Sequence, residues 1–125
     1  MPTSPTLDDL ASLVRTFSKE RDWEQYHSPR NLAMALSVEA SELLELFLWC
    51  SDDGPQPLNE RRRDKVAQEA ADVMICLLNF CERANVDLAP AVVAKLQGAA
   101  KKYPVDRVKG KALKYDEYTQ WSEEE

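Results

Sequence analysis

The sequence contains few glycines and histidines, with three glycines and one histidine among its 125 residues. Alternating β-branched residues are nearly absent, which argues against a β-sandwich or barrel. No run approaches the roughly 18 apolar residues of a membrane helix. The start, MPTSPTLDD, lacks the basic and apolar regions of a signal peptide. The three cysteines form no CxxC pair, so we expect a reduced, cytoplasmic protein.

Positive charge is also scarce, with 16 Lys and Arg against 22 Asp and Glu and a net charge of -6. There is no basic stripe, which argues against duplex nucleic acid as a partner. An acidic protein still binds an anionic ligand when divalent cations lie between the two. The length fits one domain, which we place at residues 1–118, followed by a mobile acidic tail at 119–125.

Caps, prolines and apolar periodicity predict an all-α fold, a bundle of four helices. Thr6 is a candidate N-cap with Asp9 three residues later, close to a capping box. Ser28 followed by Pro29 suits the start of the second helix. The predicted helices span about Leu7–Glu20, Pro29–Cys50, Glu60–Ala84 and Leu88–Lys102.

Two acidic pairs lie on faces of the middle helices where apolar residues are expected. At about 100° per residue, Glu39 falls within the apolar arc of the second helix, and Glu42 lies beside it. The third helix repeats the pattern with Glu69 and Asp72. The apolar arc of the second helix consists of Leu32, Leu36, Leu43, Leu46 and Phe47.

Acids three residues apart usually belong to a solvated helix face. Here an ionised carboxylate in an apolar environment costs several kcal/mol unless it is paired or bound to metal. Two explanations remain open: arginine and lysine neutralise the acids in a structural network, or a divalent cation does so, as in helix bundles with inward carboxylates. A site of carboxylate oxygens alone suits Mg²⁺ or Mn²⁺ better than zinc.

The spacing of the pairs resembles a known family. Glu39-x-x-Glu42 and Glu69-x-x-Asp72, separated by the 26 residues 43–68, match the ExxE…ExxD signature of the MazG-like all-α NTP pyrophosphatases. Three parts of the chain are similar to the dCTP pyrophosphatase branch. They are ERDWEQYHSPRNL at residues 20–32, the segment at residues 39–49, and Lys95 together with KKYP at residues 101–104. The resemblance covers about residues 6–118.

The resemblance implies a Mg²⁺-dependent nucleotide diphosphatase that converts (d)NTP and water into (d)NMP and diphosphate, with dCTP or a modified dNTP as the substrate and house-cleaning of the nucleotide pool as the role. It implies that Glu39, Glu42, Glu69 and Asp72 hold the metal, and that Glu39 or Glu42 positions or deprotonates the water. It also implies a homodimer or a dimer of dimers, with sites formed across subunits.

The same resemblance implies the substrate contacts. Trp23 and Trp49 would surround the base, because indole faces stack on nucleobases, although tryptophans at helix ends also fill cores and interfaces. Lys95 would bind phosphate, with Lys102 and Arg107 as weaker candidates. Arg30 and Asn31 lie at the start of the second helix. Each would contact the substrate or a partner subunit, or would serve only as a capping or linker residue.

Three positions depart from the dCTP branch: Val14, Cys76 and Ala99 stand where the branch has histidine, tyrosine and asparagine. Cys76 falls on the helical arc between Glu69 and Asp72, so it lines the base pocket or is a small buried hydrophobe. The base preference therefore stays open, with dUTP or a damaged purine nucleotide as alternatives. The rival class is a non-catalytic helical interaction module with a structural acidic network.

Overall fold

The structure is a computed structural model that describes residues 4–49, 59–113 and 116–117. Within these residues there are helices and turns and no strand, so the all-α prediction is confirmed. The chain divides into two compact units, residues 1–86 and 87–125. The helices are α1 (Leu7–Glu20), α2 (Pro29–Glu45), α3 (Glu60–Ala84), α4 (Leu88–Lys102) and α5 (Val105–Val108).

Helix α1 begins at a complete capping box, as the sequence predicted. The backbone N–H of Asp9 donates to Thr6 Oγ1 over 3.2 Å, and the N–H of Thr6 donates to Asp9 Oδ2 over 2.8 Å. Asp8 and Asp9 also place negative charge in the first turn, where the helix dipole favours it. A short 3-10 helix, Glu24–Tyr26, then interrupts the connector, in which the sequence predicted no helix.

Helix α2 begins as predicted at Pro29, with the Ser28 hydroxyl accepting from the N–H of Asn31 over 3.1 Å. Its predicted end at Cys50 is wrong, because the α-helix ends at Glu45. The next residues are held by i→i+3 bonds, such as the N–H of Phe47 donating to Leu44 O over 3.0 Å. This tighter winding is common at helix ends, and here it leads to Trp49 with a φ of 63°.

Helix α3 is the central element of the first unit, since both α1 and α2 pack against it. Asn59 caps its start by accepting from the N–H of Arg62, and Asn85 ends it in the left-handed conformation at φ 57°. The apolar centre of the unit contains Leu32 and Leu78, which are 4% and 6% exposed. These buried side chains fix the relative positions of α2 and α3, and therefore of their acidic pairs.

The second unit contains α4, which begins after Asp87 and ends at Lys102 as predicted, and the short helix α5, which the sequence did not predict. Pro104 lies directly before α5, where its fixed φ suits a helix start. The predicted tail at 119–125 lies outside the described residues. Along the residues that the structure covers, no helix is long and apolar enough to cross a membrane.

Candidate metal and nucleotide site

The carboxylates of α2 and α3 converge between the two helices. Ligand oxygens of Glu39, Glu69 and Asp72 all lie within 4.8 Å of one another. Glu42 completes the group, because its charge contributes to the raised pKa of both Glu39 and Glu69. Residues three apart on a helix share a face, and the packing of α2 on α3 turns the two acidic faces towards each other. The structure thus brings together all four acids that the sequence singled out.

The acids disfavour one another's charge. Burial raises the pKa of Glu39 most strongly, followed by its interaction with the neighbouring Glu42 carboxyl group and by repulsion from Asp72 and Glu69. Burial is also the largest cause of the raised pKa of Glu69, followed by repulsion from Glu42 and Asp72. Without a counter-charge, the ionised cluster is therefore under electrostatic strain.

The donor set fits a divalent cation. Glu39 Oε2 and Glu69 Oε2 are buried and have no hydrogen-bond partner. The ion pairs Arg15–Glu82 and Glu20–Arg21 include none of the four acids. The charges that shift the pKa of Glu39 and of Glu69 are those of neighbouring acids. The ligand oxygens of three of these acids lie within 4.8 Å of one another, which is close enough for side-chain movements to bring them onto one ion.

A cavity of about 330 Å³ opens beside the acids in the first unit. This volume is at the lower end of the range of small-molecule sites. Most of the lining is apolar or aromatic, with amide, hydroxyl, imidazole and thiol groups among it. The lining residues are Phe17, Ser18, Trp23, His27, Asn31, Leu32, Ala35, Ile75, Cys76 and Asn79.

The cavity and the acids are one helical turn apart. Ala35 precedes Glu39 by four residues on α2, and Cys76 follows Asp72 by four on α3, which is about 6 Å along each axis. The pKa of the Cys76 thiol reports this proximity, because it is raised by burial first and then by the charges of Glu39 and Asp72. A nucleotide that placed its base in the cavity would have its phosphates within reach of the carboxylates.

The cavity contains two of the three predicted base contacts, Trp23 and Cys76. Trp23 is 46% exposed and its ring meets Phe17 edge-on, with centroids 5.7 Å apart. The third predicted contact, Trp49, does not line the cavity in this structure. It is 95% exposed at the end of α2, so it packs in no core within the described residues.

The other predicted contacts have different positions. Lys95 and Lys102 are exposed residues of α4, in the second unit, and Arg107 lies in α5. Asn31 lines the cavity, and its side-chain amide donates to Tyr26 O over 3.1 Å. The phosphate role of Lys95 and Lys102 stays a prediction.

Sequence reasoning missed three polar residues of the cavity, Ser18, His27 and Asn79. Asn79 follows Asp72 by seven residues and Cys76 by three, and this spacing keeps all three on one face of α3. That spacing is the signal that would have identified Asn79. Ser18 gave no signal, since its position at the cavity depends on how α1 packs against α3.

Comparison with known proteins identifies the class. Residues 34–118 match the model of the MazG-like family. The chain is 44% identical over 115 residues to dCTP pyrophosphatase 1 of Bos taurus, covering 90% of this chain and 68% of that protein. It is 43% identical to dCTP pyrophosphatase 1 of Homo sapiens, with the same two coverages. The chain thus spans about two thirds of the length of these relatives.

A solved pyrophosphatase from Archaeoglobus fulgidus is also similar, with 38% sequence identity and a TM-score of 0.72. The alignment covers 83% of this chain and 97% of that one. The chain belongs to the MazG-like family, and its relatives place it in the dCTP pyrophosphatase branch.

Proposed function

We propose that this chain is a Mg²⁺-dependent nucleoside triphosphate pyrophosphohydrolase that prefers dCTP or a modified dNTP. It is a nucleotide pyrophosphatase by its identity of about 44% to proteins with that activity. The metal, the preferred base and the roles of individual residues are the parts we add. The cellular role that fits this reaction is the removal of surplus or modified nucleotides in the cytoplasm.

One observation supports the proposal above all others: a carboxylate cluster with two unpartnered buried oxygens lies one helical turn from a cavity lined by aromatic and amide groups. The cluster has the ligand chemistry of Mg²⁺. The cavity has the volume and the largely apolar lining of a small-molecule site. A nucleoside triphosphate carries both matching parts, an anionic chain that binds Mg²⁺ and a flat base.

The roles of the four acids follow from their positions, and those of Lys95 and Lys102 from the resemblance to the family. Glu39, Glu42, Glu69 and Asp72 would hold the metal, and Glu39 or Glu42 would orient the water that attacks the α-phosphorus. Bound Mg²⁺ lowers the pKa of a coordinated water and shields the charge that develops on the phosphates. Lys95 and Lys102 are the proposed phosphate contacts.

The base would lie in the cavity against Trp23 and Cys76, whereas Trp49 would cover it from the end of α2. Stacking on an aromatic ring contributes about 1–3 kcal/mol per base in nucleic-acid systems. Cys76 occupies less room than a tyrosine would, which leaves space for a base with an added substituent. This supports modified cytidine nucleotides as substrates.

We further propose that the enzyme works as a homodimer or a dimer of dimers. Helix α2 carries large apolar side chains that are more than half exposed, Met34, Val38 and Leu44. Exposed apolar patches of this kind mark protein interfaces. Light scattering of the full chain would give the subunit number, and a strictly monomeric active enzyme would contradict this part of the proposal.

Release of diphosphate from dNTPs, NTPs and 5-substituted dCTP, measured with Mg²⁺ and then with EDTA, tests the proposal. We expect Mg²⁺-dependent release with dCTP or a modified dCTP ranked first. Glu42→Gln should lose more than 99% of turnover, and Asp64→Asn, which changes an exposed acid of α3, should keep it. A folded protein that hydrolyses no triphosphate in ample Mg²⁺ would instead indicate the non-catalytic interaction module.

A further inference from the structure

Ser18 differs from every other polar residue that the structure describes. It is 3% exposed, and no other polar or charged side chain of the described residues is fully buried. Its hydroxyl donates to Asn79 Oδ1 over 3.2 Å, which joins α1 to α3 at the wall of the cavity. Buried polar groups require a partner, and this bond therefore fixes the orientation of the Asn79 side chain.

The fixed orientation decides which face of the amide is available to a ligand. With Oδ1 held by Ser18, the amide presents the two hydrogens of Nδ2, which find no acceptor among the described residues. The other amide of the cavity has one of its two hydrogens committed elsewhere, because Asn31 Nδ2 donates to Tyr26 O. The cavity thus holds one oriented amide donor, on the same face of α3 as Cys76 and Asp72.

We propose that Asn79, positioned by Ser18, selects the base by donating a hydrogen bond from Nδ2 to the ring nitrogen N3 of cytosine. This inference rests on the proposed function, since it concerns the base of the same substrate. In cytosine N3 is an acceptor, whereas in uracil and thymine N3 carries a hydrogen. A donor at this point accepts cytosine and its 5-substituted forms and opposes uracil, because two N–H groups would face each other.

The same polar pair would also exist if it only joined two helices, and the two roles predict different outcomes. A hydrogen bond that only joins the two helices contributes to stability and does not affect which base the enzyme prefers. A selecting amide changes the ratio of kcat/KM for dCTP to kcat/KM for dUTP. That ratio is the decisive measurement, because it cancels any general loss of folding or turnover.

Asn79→Asp is the sharpest variant. Aspartate keeps the shape and keeps an oxygen for the Ser18 hydroxyl, but it replaces the donor with an acceptor. We expect the dCTP to dUTP ratio to fall at least tenfold, because the carboxylate accepts from N3–H of uracil and repels N3 of cytosine. An unchanged ratio in a folded variant would overturn the proposal.

Ser18→Ala tests the positioning role. Without the hydroxyl the amide rotates freely, so we expect KM for dCTP to rise about fivefold or more, kcat to change less, and the ratio to move towards one. Ser18→Thr, which restores a hydroxyl, should recover most of the ratio. The matched control is Ser12→Ala, an exposed serine on the same helix, which should leave both parameters unchanged. A loss of thermal stability in Ser18→Ala with an unaltered ratio would reduce the pair to a structural bond.

Binding of dCMP and dUMP, followed by titration calorimetry, separates this inference from the proposed function. If dCMP binds more tightly than dUMP and Asn79→Asp reverses the order, the inference holds even where no triphosphate is hydrolysed. If triphosphates are hydrolysed, but Asn79→Asp changes neither the binding order of dCMP and dUMP nor the order of kcat/KM for dCTP and dUTP, the proposed function holds and the inference is wrong.

Discussion

Glu39→Gln should stabilise the metal-free protein and at the same time remove its response to Mg²⁺. The variant deletes one negative charge from a cluster in which Glu42, Asp72 and Glu69 raise the pKa of Glu39. It keeps the shape of the side chain, so packing between α2 and α3 is retained. The two effects have opposite signs, which makes the prediction hard to satisfy by accident.

The size follows from the geometry. Two like charges at the 4.8 Å limit of the cluster repel by about 0.9 kcal/mol in water and by about 3.5 kcal/mol at an effective dielectric of 20, and closer charges repel more strongly. Solvent reaches part of the site, so we take the lower value, about 1 kcal/mol. For a chain of 125 residues this raises Tm by about 4 °C. In the wild type, Mg²⁺ at ten times its Kd should add about 1.4 kcal/mol, or about 6 °C.

Thermal unfolding at pH 7.5, in EDTA and in rising Mg²⁺, measures both quantities. The expected pattern is a higher Tm for Glu39→Gln in EDTA and little further rise with Mg²⁺, against a clear rise in the wild type. Asp64→Asn controls for a general effect of lower negative charge. The electrostatic reasoning is refuted if Glu39→Gln lowers Tm in EDTA and still gains the full Mg²⁺ shift.

Three further predictions concern single contacts. The hydrogen-bonded guanidinium of Arg15 lowers the pKa of Glu82, so the pair stabilises the fold above the ordinary carboxyl pKa of 4.5 and stops doing so as the pH falls through the lowered pKa. Glu82→Gln should therefore reduce the free energy of unfolding in urea at pH 7 and reduce it less at pH 3. An equal loss at both pH values would contradict this. Trp49→Ala should raise KM for the triphosphate more than it lowers kcat, with Tm nearly unchanged since the ring is 95% exposed; an unchanged KM would remove Trp49 from the site. Leu78→Ala should lower the free energy of unfolding in urea by about 2–5 kcal/mol. A decrease of under about 1 kcal/mol would mean that Leu78 is not part of a packed core.

The sequence predicted the helices where local chemistry determines them. Thr6 with Asp9, Ser28 with Pro29, and the left-handed Asn85 each set a boundary within a few residues of chain, so the starts of α1 and α2 and the end of α3 were predicted correctly. The acids were recognised for the same reason, since their spacing of three and their apolar neighbours are properties of single helices.

The end of α2 depends on contacts that periodicity does not carry. The apolar pattern continues through Phe47 and Leu48, so sequence alone extends the helix to Cys50. In the structure the guanidinium of Arg62, on α3, donates to Leu46 O over 3.0 Å and lies 4.9 Å from the Phe47 ring. A carbonyl oxygen that accepts from another helix is satisfied without continuing its own, and this long-range contact was not readable from spacing.

The cavity was only half predictable, for a related reason. Cys76 was recognised because it shares a face with Asp72 on α3, whereas Ser18 reaches the cavity only through the packing of α1. Of the three departures from the dCTP branch, Cys76 is the one that lines the cavity in this structure; Val14 and Ala99 lie elsewhere on α1 and α4.

In the proposed site, the residues that act in the reaction and the residues that select the base lie in different places. The four acids, which we propose hold the metal, occupy one turn of α2 and one turn of α3, and the cavity lies beside the adjoining turns of the same helices. A change such as cysteine at residue 76 therefore alters the space for the base and leaves the carboxylates in place. The two parts are still coupled through one rigid body, because Asp72, Cys76 and Asn79 share one face of α3. In the proposed site, a base held by Asn79 would fix the position of the triphosphate against the acids, and a base that does not fit would place the α-phosphorus out of line with the attacking water. Selection in such a site is expressed in kcat as well as in KM, which is why the ratio of kcat/KM is the proper measure of it.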